Sequence, residues 1–123
     1  MTADKLPEAQ KLPVIPPEAL QAMSYRPEPP TEAQLQALSR LVNIAKGDTA
    51  QSRRVAEFLL AWWNAGACGG FDLTNLWSLD LTIARDMQAV FGLIAEHHHY
   101  PDHYSLADDF VEIVRQWRPE NLD

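Results

Sequence analysis

The residues best suited to chemistry are four histidines crowded into seven positions. His97, His98, His99 and His103 lie beside Glu96 and Asp102. Imidazole nitrogens with carboxylate oxygens suit zinc, nickel or copper, and His98, His99 and His103 are the candidate ligands. Glu96 and His99 are three apart and His99 and His103 four apart, so a continuous helix would place them on one face. Pro101 opposes this, because it breaks the hydrogen-bond ladder and pushes Tyr100 out of helical geometry. The cluster is therefore expected to straddle a helix end and a turn. Histidines at such a place also have a plainer role, since the negative end of the helix dipole favours their protonated form.

Cys68 is the only cysteine. A thiol beside an imidazole can act as a nucleophile pair, but a lone cysteine among small residues reads first as a small buried apolar group. Gly66, Gly69 and Gly70 do not make a phosphate loop: no Lys-Ser or Lys-Thr follows and no strand precedes. They read as a tight turn between packed helices. No catalytic residue and no cofactor is assigned, and the chain is read as non-enzymatic.

Interaction chemistry is the other possibility. Trp62 and Trp63 are neighbours, so on a helix they diverge by about 100° and cannot point the same way. The first reading is that both pack on the core; the alternative is that one is core while the other is partly exposed, lies under the arm or lines a groove, as tryptophan often does at protein interfaces. Asp108, Asp109 and Glu112 cluster near the start of the last helix. They form a solvated face or, alternatively, a docking surface for a basic partner.

The elements that position these groups are all helical. Residues 1–30 hold seven prolines, so this stretch is expected to be an extended arm with one short helix from Pro17 to about Met23. Leu12, Val14, Ile15, Leu20 and Met23 give it apolar contacts to offer to its own domain or to a partner. A helical domain is expected over residues 31–119, and residues 120–123 as a tail.

Thr31 and Gln34 have capping-box spacing, and Leu35, Leu38, Leu41, Val42 and Ala45 then recur as one apolar stripe, ending at Gly47. A second helix from Asp48 or Thr49 to Gly66 carries Val55, Phe58, Leu59, Trp62 and Trp63 and is expected to be central. Asp72 and Asn75 suggest a short helix through Trp77. A third long helix, capped by Ser78 or Asp80 and ending near His97 or His98, turns Ile83, Met87, Val90, Phe91 and Ile94 inward. Ser105 and Asp108 suggest a capping box opening the last helix, whose stripe is Leu106, Phe110, Ile113, Val114 and Trp117. No window alternates with period two, so no strand is assigned. The expected fold is all-α: four main helices, one or two short ones, and the arm.

The chain is acidic, with a net charge of −7 over 123 residues. Residues 71–123 hold ten acids against Arg85, Arg115 and Arg118, which accounts for the whole excess. That half would repel phosphate backbones, so direct nucleic-acid binding is not expected unless it uses the small basic group Arg40, Lys46, Arg53 and Arg54. No stretch approaches the roughly 18 apolar residues of a membrane span. A cytoplasmic location is the expectation, in the absence of an export signal.

The stretches Phe58-Leu-Leu-Ala-Trp-Trp-Asn64, Cys68-Gly-Gly-Phe-Asp-Leu73, Leu76-Trp77, Tyr100-Pro-Asp102 and Arg115-Gln-Trp-Arg-Pro119 resemble a small bacterial domain family of unknown function, of the kind carried by proteobacterial genomes and mobile elements. The resemblance covers residues 53–119, implies no activity, and sets residues 1–30 apart as an appendage. The leading expectation is a protein-interaction module that binds a protein partner or a second copy of itself. The rivals are an acidic inhibitor that mimics nucleic acid in a basic channel, and a metal-binding regulator built on the His97–His103 cluster.

Overall fold

The computed structural model describes residues 14, 16–19 and 28–122. Four long helices run through it: α1 Glu32–Ala45, α2 Ala50–Cys68, α3 Leu81–Glu96 and α4 Ala107–Trp117. Short 3-10 turns lie at Leu73–Ser78, Pro101–Tyr104 and Pro119–Asn121, and no strand occurs among the described residues. The fold is thus all-α, as the periodicity predicts. Of the expected Pro17–Met23 helix, residues 17–19 are helical and the rest lies outside the described residues, as does most of the arm.

α1 begins as its sequence dictates. The Thr31 hydroxyl accepts from the Gln34 amide (3.1 Å) and the Gln34 side chain accepts from the Thr31 amide (3.0 Å), satisfying two donors that a helix start leaves orphaned. Its stripe Ala37, Leu38, Leu41, Val42 and Ala45 is fully buried. α1 packs against α3, α2 and α4, so the central helix is the first long one rather than the second. The wide apolar face of α2 is explained by large side chains that are only partly covered.

The core joins this stripe to Val55, Ala56, Leu59 and Leu60 of α2, Met87, Val90 and Leu93 of α3, and Phe110, Ile113 and Val114 of α4. Burying each large aliphatic side chain contributes about 1.5–3 kcal/mol. Phe110 is the one aromatic residue of this fully buried set; the other aromatics pack around its rim or stand exposed. On α3 the expected inner residue Phe91 is 63% exposed and Leu93 takes its place in the core. The register explains this. Phe91 falls on the stripe of Leu81, Arg85 and Gln88, whereas Leu93 follows Val90 by three residues on the inner face.

Two helix ends differ from the expectation. α2 passes Gly66 and runs to Cys68, with Asn64 leaving helical geometry (φ −163°, ψ 81°). The Asn64 side-chain oxygen accepts from the Ala67 amide (3.1 Å), restarting a final turn. Gly69, at φ 95°, then reverses the chain in a conformation that L side chains rarely adopt. At α4, Ser105 does not form a capping box. It sits in the left-handed region (φ 61°), where its amide closes the preceding 3-10 turn on the Asp102 carbonyl (3.0 Å), and Leu106 becomes the N-cap.

The corner between α1 and α2 is bolted to α4. Trp117 Nε1 donates to the Ala45 carbonyl (2.8 Å), Gln116 Nε2 donates to the Gly47 carbonyl, and Lys46 Nζ pairs with Asp109 and Glu112. Hydrogen bonds to those two carboxylates raise the Lys46 pKa above its ordinary value. Gly47 is required here for space. A Cβ would lie 2.7 Å from Ser52 Oγ and 3.2 Å from the Ile44 carbonyl, and Ser52 is buried with its hydroxyl 2.8 Å from that of Thr49.

Gly47→Ala is therefore expected to cost about 1–3 kcal/mol, lowering the melting temperature by roughly 4–8 °C per kcal/mol. In a Ser52→Ala background the same change should cost clearly less. Circular-dichroism melts of the four proteins measure the coupling, and additive effects would show that the Gly47–Ser52 approach is not the constraint.

Candidate functional site

α2 and α3 both rest on α1 and make few close approaches to each other. The gap between them is an apolar groove of about 260 Å³, lined by Phe58 of α2, Phe71, Leu73 and Leu76 of the connecting segment, and Met87, Gln88 and Phe91 of α3. Gln88 is its one polar side chain.

The connection folds into a wall for local reasons. After Gly69 reverses the chain, Phe71 returns over α2 and meets Phe58 edge to face, with ring centroids 5.4 Å apart. Asp72 then caps the 3-10 turn: its carboxylate accepts from the Thr74 amide (2.9 Å) and hydroxyl (2.8 Å). The Thr74 hydroxyl, and then its amide, hold the Asp72 pKa below the ordinary value. The Ser78 hydroxyl donates to the Asn75 carbonyl (3.1 Å). The start of α3 is clamped from α2, because Gln51 Oε1 accepts from the Asp80 amide (2.7 Å) and Gln51 Nε2 donates to the Asp80 carboxylate (3.2 Å). Asp80 is the N-cap, as expected, but its own side chain makes no capping bond.

Leu73 is 68% exposed at the groove, and on the same length of chain Trp77 is 86% and Leu81 65% exposed. With Phe91, four large apolar side chains between residues 73 and 91 face water. The sequence carried a signal for this exposure in the run Phe71, Leu73, Leu76, Trp77, Leu79 and Leu81, which is too apolar for an ordinary surface turn.

The residues singled out from the sequence fall elsewhere. Trp62 and Trp63 are both half-buried against the core. The Trp62 indole donates to the His99 carbonyl (3.1 Å) and its ring meets Phe110 edge to face at 6.2 Å. Asp109 and Glu112 are joined to Lys46, while Asp108 is exposed. Cys68 is buried, and its sulfur accepts from Asn121 Nδ2 (3.6 Å).

The histidines cap the end of the bundle beyond α3. His97 is buried and its amide donates to the Leu93 carbonyl (2.9 Å). The rings of His99 and His103 are stacked, 3.7 Å apart and 10° from parallel. Ring lone pairs lie in the ring planes, so stacked imidazoles do not aim at a common point. Among the described residues, no group of three or more His, Cys, Asp or Glu side chains is arranged to hold a metal ion.

Loss of water over the His99 ring, and then repulsion from His103, His97 and His98, lowers the His99 pKa from its ordinary 6.5. The sign follows from linkage. Above pH 6.5 the ring is neutral folded and unfolded, so it adds no pH dependence. Below 6.5 the unfolded chain takes up a proton that the folded chain resists, and stability falls until the lowered folded pKa is passed. Melting temperatures measured from neutral pH downward should therefore drop less steeply for His99→Gln than for the wild type. Parallel profiles would show that the stack carries no such cost.

No helix among the described residues is long and apolar enough to cross a membrane. No curated protein and no solved structure matches the chain. A family model does match it over residues 35–118, which spans α1 almost from its start, the groove, the histidine turn and all of α4. The chain belongs to the family of unknown function DUF7673.

Proposed function

We propose that this protein is a non-enzymatic interaction module whose α2–α3 groove receives an apolar anchor from a basic segment of another protein. The observation that carries this reading is the groove itself, with Leu73 and Phe91 standing exposed on walls that are otherwise apolar. Concave apolar sites flanked by exposed aromatics are where partner side chains bury most productively.

Charge selects the kind of partner. Six of the seven lining residues lie between 71 and 91, inside the acidic half of the chain. Asp72 and Asp80 flank the groove segment in sequence, and both are exposed without a cationic partner among the described residues. A second copy of the chain would bring the same negative charge, whereas a segment with lysines or arginines around one or two large apolar residues would meet attraction. The described part of the arm gives no support to its filling the groove, because Val14 is 94% exposed. The acidic-mimic reading has less to draw on, since two of the three acids of α4 that motivate it are already paired with Lys46.

Selection of helical and extended peptides from a displayed random library by the purified full chain tests the proposal. Enriched peptides should share an apolar anchor with basic flanks, and added salt should weaken their binding. Phe91→Asp should weaken them by roughly thirtyfold, the equivalent of about 2 kcal/mol at an aromatic hot spot, while the melting temperature changes little because Phe91 is mostly in water. Enrichment of acidic peptides, or binding indifferent to Phe91→Asp, contradicts the reading.

A further inference from the structure

The four basic residues of α1, α2 and the corner between them are divided by their surroundings. Arg40 grips Asp86 with two hydrogen bonds, Nε to Oδ2 at 2.9 Å and Nη2 to Oδ1 at 2.8 Å. Lys46 is held by Asp109 and Glu112. Arg53 and Arg54 have no carboxylate partner among the described residues. Both line one cavity of about 380 Å³ that has no lining residue in common with the groove.

The register of α2 aims them there. Ala50, Arg53, Arg54 and Glu57 follow the i, i+3, i+4, i+7 spacing of one helix face, and all four line the cavity. The opposite stripe, Ser52, Val55, Ala56, Leu59 and Leu60, is in the core. Trp117 and Asn75 form part of the remaining wall. The Trp117 ring is fixed by its hydrogen bond to Ala45, so it presents a rigid aromatic surface. The Asn75 side-chain amide has no hydrogen-bond partner among the described residues, leaving a donor and an acceptor free.

Of the acids in the lining, Glu57 lies 3.7 Å from Arg118 Nη2, which leaves Asp48 against two guanidinium groups. In a protein of net charge −7 this is a locally cationic hollow of a size typical for small ligands. Guanidinium groups match phosphate oxygens in geometry as well as charge, and an indole face stacks on planar rings. A polymer would bring further phosphates against the acidic half of the chain, and a single phosphate would not.

We propose that this cavity binds a small phosphomonoester carried on a planar ring, the chemistry of a mononucleotide. Arg53 and Arg54 hold the phosphate, Trp117 stacks on the ring, and the Asn75 amide meets its polar edge. The site shares no lining residue with the groove and stands independently of the function proposed for it.

Calorimetric titration of the full chain at low salt with adenosine 5′-monophosphate, cytidine 5′-monophosphate, adenosine and inorganic phosphate tests the assignment. At least one of the two monophosphates should bind, with adenosine and inorganic phosphate each at least about tenfold weaker. Arg53→Gln and Arg54→Gln should each weaken the monophosphate by at least about tenfold with unchanged melting, since neither arginine holds the fold together. Asn75→Ala should change the preference between the two bases, and Phe91→Asp should change nothing. Absence of monophosphate binding at millimolar concentration overturns the proposal, as does equal binding of inorganic phosphate or binding that survives both arginine changes.

Discussion

Leu38, Leu41, Val42 and Ala45 form a buried strip on α1, and the other three long helices rest against this helix. A 14-residue helix contacted on several sides cannot also let all its partners close on one another. α2 and α3 each spend their inner stripe on α1, so the space between them is filled by side chains from their flanks and from the connection. Phe58, Phe71 and Met87 fill it partway, and the groove is what remains. It follows from the packing, and no separate structural device is needed to hold it open.

The same constraint explains the attention given to the α1–α2 corner. If α1 is the shared floor, its exit must be fixed, and five side chains do this through four contacts: Lys46 to Asp109 and Glu112, Gln116 to the Gly47 carbonyl, and Trp117 to the Ala45 carbonyl. Three of the charged groups that the sequence offers for interaction are consumed in that clamp. The acidity of residues 71–123 therefore divides into a structural part, which includes Asp86, Asp109 and Glu112, and an exposed part, which includes Asp72, Asp80 and Asp108. Arg53 and Arg54 are left as cations with no structural carboxylate partner.

Local chemistry was legible wherever one or two neighbours decide it. The Thr31–Gln34 box, the Thr49 cap, the Asp72-led 3-10 turn and the stripe Phe110, Ile113, Val114 of α4 were all readable, because each depends on spacing within a turn or two. What was not legible depended on contacts between elements. α2 has the broader apolar face and so reads as central, but Phe58, Trp62 and Trp63 remain half-covered. Phe91 reads as core by hydrophobicity alone, and only the register of α3 places it with Arg85 and Gln88. Ser105 satisfies the spacing of a capping box, but the turn begun at Pro101 needs a left-handed exit at that position. The groove escaped because its walls come from three segments, none of which is distinctive alone; the cavity at Arg53 and Arg54 required knowing which cations were already paired.

Leu73 and Phe91 border an open apolar groove, Met87 lies at its base, and Leu93 is buried in the core. Solvent paramagnetic relaxation on the full chain, read at these four side chains with a neutral gadolinium chelate, measures this arrangement. Strong relaxation is expected at Leu73 and Phe91 and protection at Met87 and Leu93. Protection of Leu73 and Phe91 to the level of Leu93 would contradict it, showing the groove to be closed or already covered.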